Sequence, residues 1–313
     1  MNKGVELESL RREIINVGSI LEERYRKVFS LEREEFREKL KEFTGEIVEL
    51  PKLDEKKIVK FKNLVAIDGS YNKSGGNFPH FIELYRALGL RFDKESVVIN
   101  EIFTPLLQNT LEEEINMKKR LAEIELRCAI ESIEKLNPKY IMMDGGLIRY
   151  NLDARDKFEE LLEIVDEKGI VLFGVVKDVK TDYIRKSFDW DEFYYDRELM
   201  FGILKKGEAL LIDNSVNKKF SYDLSTAFLR SSTFPGVIGI DVYNRNKTEL
   251  FEIASLVYTL TPENSRGVPY FLDIVDSEVK ITNIMMESLL KDNLDRGYYE
   301  RFFVSERDKR SMK

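Results

Sequence analysis

One cysteine, one histidine and one tryptophan in 313 residues narrow the chemistry open to this chain. A lone Cys128 makes no disulfide within the chain and no cysteine-based zinc site. With His80 the only histidine, a multi-histidine metal site is excluded and a Ser-His-Asp triad disfavoured. If the protein holds a metal, carboxylates must hold it. No run of about 18 uncharged apolar residues occurs, so no membrane span is expected. The charged start MNKGVELESLRREI lacks the apolar core of a secretory signal, which points to a cytoplasmic protein. No Gly-x-x-x-x-Gly-Lys-Ser/Thr loop appears, so any motor must be a separate protein. Repeats, low-complexity tracts and Pro/Gly/Ser-rich linkers are also missing.

What is present is charge. Charged residues make up 34% of the chain, with a net charge of −7. That balance argues against a wholly basic nucleic-acid surface. It leaves room for a basic groove beside an acidic metal site, because a bound divalent ion inverts the local field. Abundant Lys and Glu with a single glutamine, Gln108, resemble proteins from hot environments.

Residues 5–48 read as helix, with Leu10, Ile14, Ile15, Val17, Ile20 and Leu21 set among dense charges. Residues 1–46 are therefore expected to be a helical extension lying on the core or on a second subunit, and 47–313 one domain. From residue 63 the pattern changes. NLVAIDGSY, PHFIELYRALGLRF (79–92) and SVVINEIF (96–103) read as an antiparallel meander. A helix over about 110–136 stops at Asn137-Pro138. KYIMMD (139–144) is strand four, a helix follows at 153–168, and GIVLFGVV (169–176) is strand five. The remainder predicts helices near 191–205, 248–260 and 272–292, a short one after Asp295, and strands near 208–213, 222–231 and 236–243. Three antiparallel strands followed by two crossover units give a mixed five-stranded α/β sheet flanked by helices, with further C-terminal strands and helices. That order resembles the ribonuclease H-like architecture.

Two of these strands end in Asp-Gly, at Asp68 and Asp144. Active groups of open α/β sheets gather at such ends, and a glycine lets the chain turn sharply beside a ligand. Glu125 adds a third carboxylate. Its helical neighbours Leu121, Ala122, Cys128 and Ala129 place it in the apolar stripe facing the sheet. A buried carboxylate needs a partner, and no Lys or Arg shares its stripe one turn away. A metal shared with Asp68 and Asp144 would supply one; a distant arginine or a rotated helix is the rival explanation. Glu112–Glu114 suit the charged first turn of the same helix. A fourth member is sought in VPYFLDIVDSEVKITN (268–283). There periodicity turns Asp276 inward with Leu272 and Val279, and favours it over Asp273. Carboxylates without histidine form a hard oxygen site suited to Mg²⁺ or Mn²⁺, as used in two-metal phosphoryl chemistry. Lys177, at the end of strand five, is the best-placed cation for a phosphate. Lys180, Arg230 and Arg266 are further candidates, as is the Arg185-Lys186 pair. Tyr71 and Tyr270 stand next to site candidates and are able to stack on bases.

Taken in order, these segments resemble the NurA nucleases, which partner the HerA hexameric ATPase in DNA-end processing. IDGSY near residue 68, IELRCA around Glu125, MMDGGLI at 144, GVVKD and SRGVPYFLDIVDSEVKI carry the resemblance, along with the nineteen-residue spacing from Glu125 to Asp144. It spans most of the chain. It implies a ribonuclease H-like fold, a homodimer and Mn²⁺-dependent DNA cleavage. The implied activities are a 5′→3′ exonuclease on single and double strands and a single-strand endonuclease. Asp68, Glu125 and Asp144 become metal ligands by this resemblance, and Lys177 the basic residue after strand five. Many archaeal members carry a histidine where this chain has Asp276. This leaves open whether residue 276 binds metal or handles a proton; His80 does not match that position. The competing functions are a non-catalytic DNA-end binding module on the same fold, and an actin-like phosphotransferase, whose second phosphate loop is not evident.

Overall fold

The computed structural model describes residues 3–108, 117–243 and 247–304. Two helices, α1 (Lys3–Phe29) and α2 (Arg33–Phe43), precede β1 (Gly45–Glu49) and the short α3 (Glu55–Ile58). The meander follows as β2 (Leu64–Gly75), β3 (Phe81–Arg91) and β4 (Ser96–Phe103). Then come α4 (Met117–Leu136), β5 (Tyr140–Asp144), α5 (Ile148–Asp153), α6 (Arg155–Lys168) and β6 (Val171–Val176). The C-terminal part adds α7 (Tyr183–Ser187), α8 (Asp196–Leu199), β7 (Glu208–Ile212), β8 (Leu224–Leu229) and β9 (Ile238–Tyr243). It closes with α9 (Lys247–Leu260), α10 (Tyr270–Val279), α11 (Asn283–Asn293) and α12 (Arg296–Phe302).

The five predicted strands lie side by side in the order β4-β3-β2-β5-β6, but the sheet does not end there. It continues through β9, β8 and β7 to β1, giving nine strands in one mixed sheet among the described residues. The later strands join it because β9 runs antiparallel to β6, with Val175 opposite Ile240. Residues 45–48, read as helix from sequence, instead form the edge strand β1 against β7. GEIVE carries two β-branched residues in an extended segment, and Ile47 packs with the helices beyond.

Strand alternation sorts the core onto two faces. Leu64, Ala66, Leu88, Met142, Phe173 and Val175 face α9 and α10. Val65, Ile67, Ala87, Ile141, Met143 and Leu172 face α4 and α6. α2, α7 and α8 cover Leu210, Ile212 and Phe228 on the far strands.

Three other helix expectations change. The predicted 191–205 helix is only the four-residue α8 with turns around it, anchored by a buried Asp196 that accepts from the backbone N–H groups of Tyr183 and Ile184. The predicted 272–292 helix is two helices, since Lys280–Thr282 leaves helical geometry where Ile281 N–H donates to Ser70 and Thr282 caps α11. The helix expected from 153 is preceded by its own short turn of helix, α5. The expected start of the 110–136 helix, with Glu112–Glu114, lies outside the described residues. Among those described, no helix is long and apolar enough to cross a membrane.

Candidate metal centre

β2 and β5 run parallel, and their pairing ends at Ile67 opposite Met143. The next residue on each strand is an aspartate. Asp68 and Asp144 therefore stand side by side, both on the face that carries Ala66 and Met142 and looks toward α10. Asp68 is not at a strand end, as the Asp-Gly pattern suggests. β2 runs on to Gly75 against β3, so Asp68 sits where its parallel neighbour stops. Gly69 consequently makes no turn. Its role is space: a Cβ there would come within 2.6 Å of Glu125 Oε1 and 2.7 Å of Glu125 Cγ. Gly145 does turn the chain, with φ of 119°, a conformation that suits glycine.

α10 brings the third carboxylate. Carboxylate oxygens of Asp68, Asp144 and Asp276 lie within 4.8 Å of one another. Asp276 is at the exposed lip of the site rather than turned inward, although Leu272, Val275 and Val279 beside it on α10 are buried. Asp273 is elsewhere engaged, accepting from Arg266 at 2.6 Å. An oxygen-only set this close is the donor chemistry of a Mg²⁺ or Mn²⁺ ion, so these three residues fit the implied metal.

Electrostatics agree with that fit. Burial, then the charges of Asp144 and Glu125, push the Asp68 carboxyl up to about 8. Asp144 is also raised, mainly by burial and against the pull of Lys177. Lys177, at the end of β6, donates to Asp144 Oδ2. Adjacent carboxylates that resist ionising together are stabilised by a cation between them.

Glu125 approaches from the other face of the sheet. It is 1% exposed, in a stripe with Ala122, Cys128 and Ala129. The sequence offers Glu125 no Lys or Arg one turn away and leaves a distant arginine as the rival to a metal. The structure supplies one from a distance, since Arg149 on α5 pairs with Glu125 Oε2. Tyr150 Oη donates to the same oxygen at 2.7 Å. Burial still raises the Glu125 carboxyl, with Arg149 opposing. The sequence does not single out Arg149 and Tyr150 as those partners, because no spacing rule links positions 24 and 25 residues away. The available signal was their place, one helical turn after Asp144-Gly145-Gly146.

The other candidates divide. Lys180 is exposed beyond Lys177. Arg266 remains over half exposed beside the aspartates, with Asp276 and Asp144 raising its proton affinity after Asp273. Tyr71 is partly exposed and stacks on Tyr85 at 5.8 Å, while Tyr270 is exposed at the start of α10. Arg230 does not join the site. Its guanidinium is taken up by the carbonyl oxygens of Leu204, Thr233 and Phe234. Arg185 is likewise held by Asp182 and the Trp190 carbonyl, and Lys186 by Asp182. His80 stacks on Phe302, away from the aspartates.

Comparison with known proteins bears on the fold and the family. The crystal structure of the NurA nuclease from Sulfolobus solfataricus superposes with a TM-score of 0.59 at 15% identity, covering 93% of this chain and 96% of that one. The catalytic domain of human endonuclease V is more distant, with a TM-score of 0.40 at 16% identity over 82% of this chain and 94% of that one. No curated protein matches the sequence. The NurA domain model matches residues 62–281, a span that includes Asp68, Glu125, Asp144, Lys177 and Asp276. Since that match covers more than half of its residues, the chain belongs to the NurA family.

Proposed function

We propose that this chain is a divalent-metal-dependent deoxyribonuclease on a ribonuclease H-like sheet. The observation that carries the reading is the convergence of Asp68, Asp144 and Asp276 where the parallel pairing of β2 and β5 ends beneath α10. Membership of the NurA family and the fold shared with a NurA nuclease support it. In this reading residues 47–313 are the nuclease domain and 1–46 a helical extension.

Asp68, Asp144 and Asp276 would hold Mn²⁺ or Mg²⁺, as one ion or two, with Glu125 completing the set from the opposite face. Such ions lower the pKa of a bound water and offset charge developing on a scissile phosphodiester. The protein's own part is to place its groups. Lys177 sits beside Asp144 where a phosphate oxygen would arrive, and Arg266 with Lys180 offers positive charge at the rim. Tyr71 and Tyr270 present rings on which unpaired bases stack.

The finer activity we assign is 5′→3′ exonuclease on single- and double-stranded DNA with single-strand endonuclease, acting at DNA ends in the cytoplasm. The family resemblance supports that assignment. A HerA-type hexameric ATPase is the proposed motor, consistent with the missing P-loop. A homodimer is also proposed. Leu7, Leu10, Ile14, Val17 and Leu21 of α1 are exposed and recur at alternating steps of three and four, the seam of a coiled coil.

The test is cleavage of end-labelled single- and double-stranded DNA with Mn²⁺, Mg²⁺ or EDTA, beside Asp68→Ala and Asp144→Ala. Metal-dependent cutting lost in both variants is expected. A wild type that binds DNA yet never cuts, alone or with the ATPase, would instead support a DNA-end binding module.

A further inference from the structure

The two oxygens of Glu125 are used unequally. Oε2 accepts from Arg149 Nη2 and from Tyr150 Oη, the latter at 2.7 Å. The same Nη2 lies 2.8 Å from Tyr150 Oη and 3.5 Å from the Asp144 carbonyl oxygen. Oε1 takes no hydrogen bond from the described residues. It lies against Gly69, the residue after Asp68, in space that only a glycine leaves open. Arg149 also lies along the Asp144-Gly145 turn, where a Cβ on Gly145 would meet its Nε at 3.5 Å. One guanidinium therefore touches both the strand that carries Asp144 and the carboxylate that arrives from the other face of the sheet.

A buried ion pair is a weak source of stability, because desolvation cancels much of the attraction. This one does something an apolar pair would not. It keeps a fully buried carboxylate oriented, with one oxygen committed and the other left against Gly69, the residue next to Asp68. We propose that Arg149 and Tyr150 are positioning residues which clamp Glu125 Oε2, so that Oε1 is the oxygen presented to a divalent cation at Asp68 and Asp144. The inference rests on the metal-site reading above. It assigns Arg149 no contact with DNA. Outer partners that fix the direction of a ligand are commonly worth about 10–100-fold in metal affinity.

The experiment is Mn²⁺ titration by calorimetry, without DNA, on the full chain. Wild type is compared with Arg149→Gln, Arg149→Lys, Tyr150→Phe, Glu125→Gln and the double variant Arg149→Gln/Glu125→Gln, with melting temperature recorded for each. Arg149→Gln should weaken Mn²⁺ binding about 10–100-fold, and Tyr150→Phe several-fold. Arg149→Lys should recover part of the loss. The double variant should bind no more weakly than Glu125→Gln alone, since the clamp has no other route to the metal.

Additive losses in the double variant would overturn the clamp, as would unchanged Mn²⁺ affinity in Arg149→Gln. Should Arg149→Gln not fold, Tyr150→Phe decides, because it removes one hydroxyl and no charge; unchanged affinity there also overturns the proposal. A wild type that binds no Mn²⁺ would remove the metal-site reading together with the clamp. Binding by wild type that is indifferent to the variants would remove the clamp alone.

Discussion

The Lys177 ammonium donates to Asp144 Oδ2 across neighbouring parallel strands, β6 and β5, so the acidic edge carries its own cation. Lys177 opposes the burial that raises Asp144. In the proposed site it would also compete with a metal for the same oxygen. These two effects separate in a variant. Lys177→Met should bind Mn²⁺ at least as tightly as wild type, because a repelling charge is gone. DNA cleavage should nevertheless fall by roughly 100-fold, the usual scale for losing one group that stabilises a developing anion. Paired titration and single-turnover kinetics test this; an equal loss in both would make Lys177 merely structural.

Stability of the metal-free protein should depend on pH through Asp68. Burial, then Asp144 and Glu125, hold its folded value at about 8, whereas an unfolded aspartate titrates near about 3.9. Between those values the folded protein keeps a proton that the unfolded chain has released. Stability is thus greatest below the lower value and falls as pH rises through the upper one. In EDTA, the melting temperature of wild type should drop more steeply from pH 5 to pH 8 than that of Asp68→Asn. Mn²⁺ should rescue wild type more at pH 8 than at pH 6, because binding displaces the proton. Parallel slopes for the two proteins would mean that Asp68 does not hold the proton.

Asp273 and Asp276 lie one turn apart on α10 but have different company. Asp276 reaches the two strand aspartates, and Asp273 accepts from Arg266. Asp276→Asn should reduce Mn²⁺ affinity at least about 10-fold, the scale of second-sphere losses. Asp273→Asn should leave it nearly unchanged while freeing Arg266. Strong DNA binding with an increased salt slope in Asp273→Asn would show that Arg266 had been released toward phosphate. Equal metal losses in both variants would contradict the geometry.

Periodicity and strand-end chemistry read well where the cause is local. Asp68 and Asp144 were visible because apolar runs lead straight into them, and Glu125 because acids are rare inside an apolar stripe. The meander and the two crossovers follow from alternation and from the breaks at Asp93-Lys94 and Asn137-Pro138. Less legible were features set by distant chain. β1 is a strand only because β7 offers an edge. The α10–α11 break depends on Ser70 holding the Ile281 N–H. Arg230 looked free in sequence and is spent on three carbonyls brought by the 200–235 region. Periodicity turns Asp276 inward, yet it stands at an exposed lip beside the two strand aspartates.

Gly69 tests how tightly the two faces of the site are fitted. β2 is extended there, so alanine meets no backbone penalty. The obstacle is Glu125, with Leu121 Cδ1 at 2.9 Å from the added carbon. Gly69→Ala must push the α4 side chains back or tilt the helix. Overpacking of this kind costs about 1–3 kcal/mol, so a clear fall in melting temperature is expected. Metal affinity should fall with it, since Glu125 Oε1 is the atom displaced. A variant that melts lower but binds Mn²⁺ as wild type would place Glu125 outside the metal's reach.

The α1 seam bears on assembly rather than on chemistry. Leu10 and Ile14 are 61% and 72% exposed, on the same stripe as Leu7, Val17 and Leu21. The extension packs on the body from the last turns of α1, where Tyr25 Oη donates to Glu198 at 2.6 Å and Tyr194 Oη to the Arg24 carbonyl, through α2, where Phe36 and Leu40 are buried and Arg37 pairs with Glu208 at 2.7 Å. Charges placed on the seam should therefore leave the sheet and its aspartates intact. Leu10→Glu with Ile14→Glu is expected to convert a dimer to a monomer by light scattering. Mn²⁺ affinity and the main melting transition should stay near wild type, because no core contact is lost. A dimer of unchanged mass would move the interface off α1. A monomeric wild type would leave the exposed seam to a different partner, and the proposed ATPase would be the first to titrate against it.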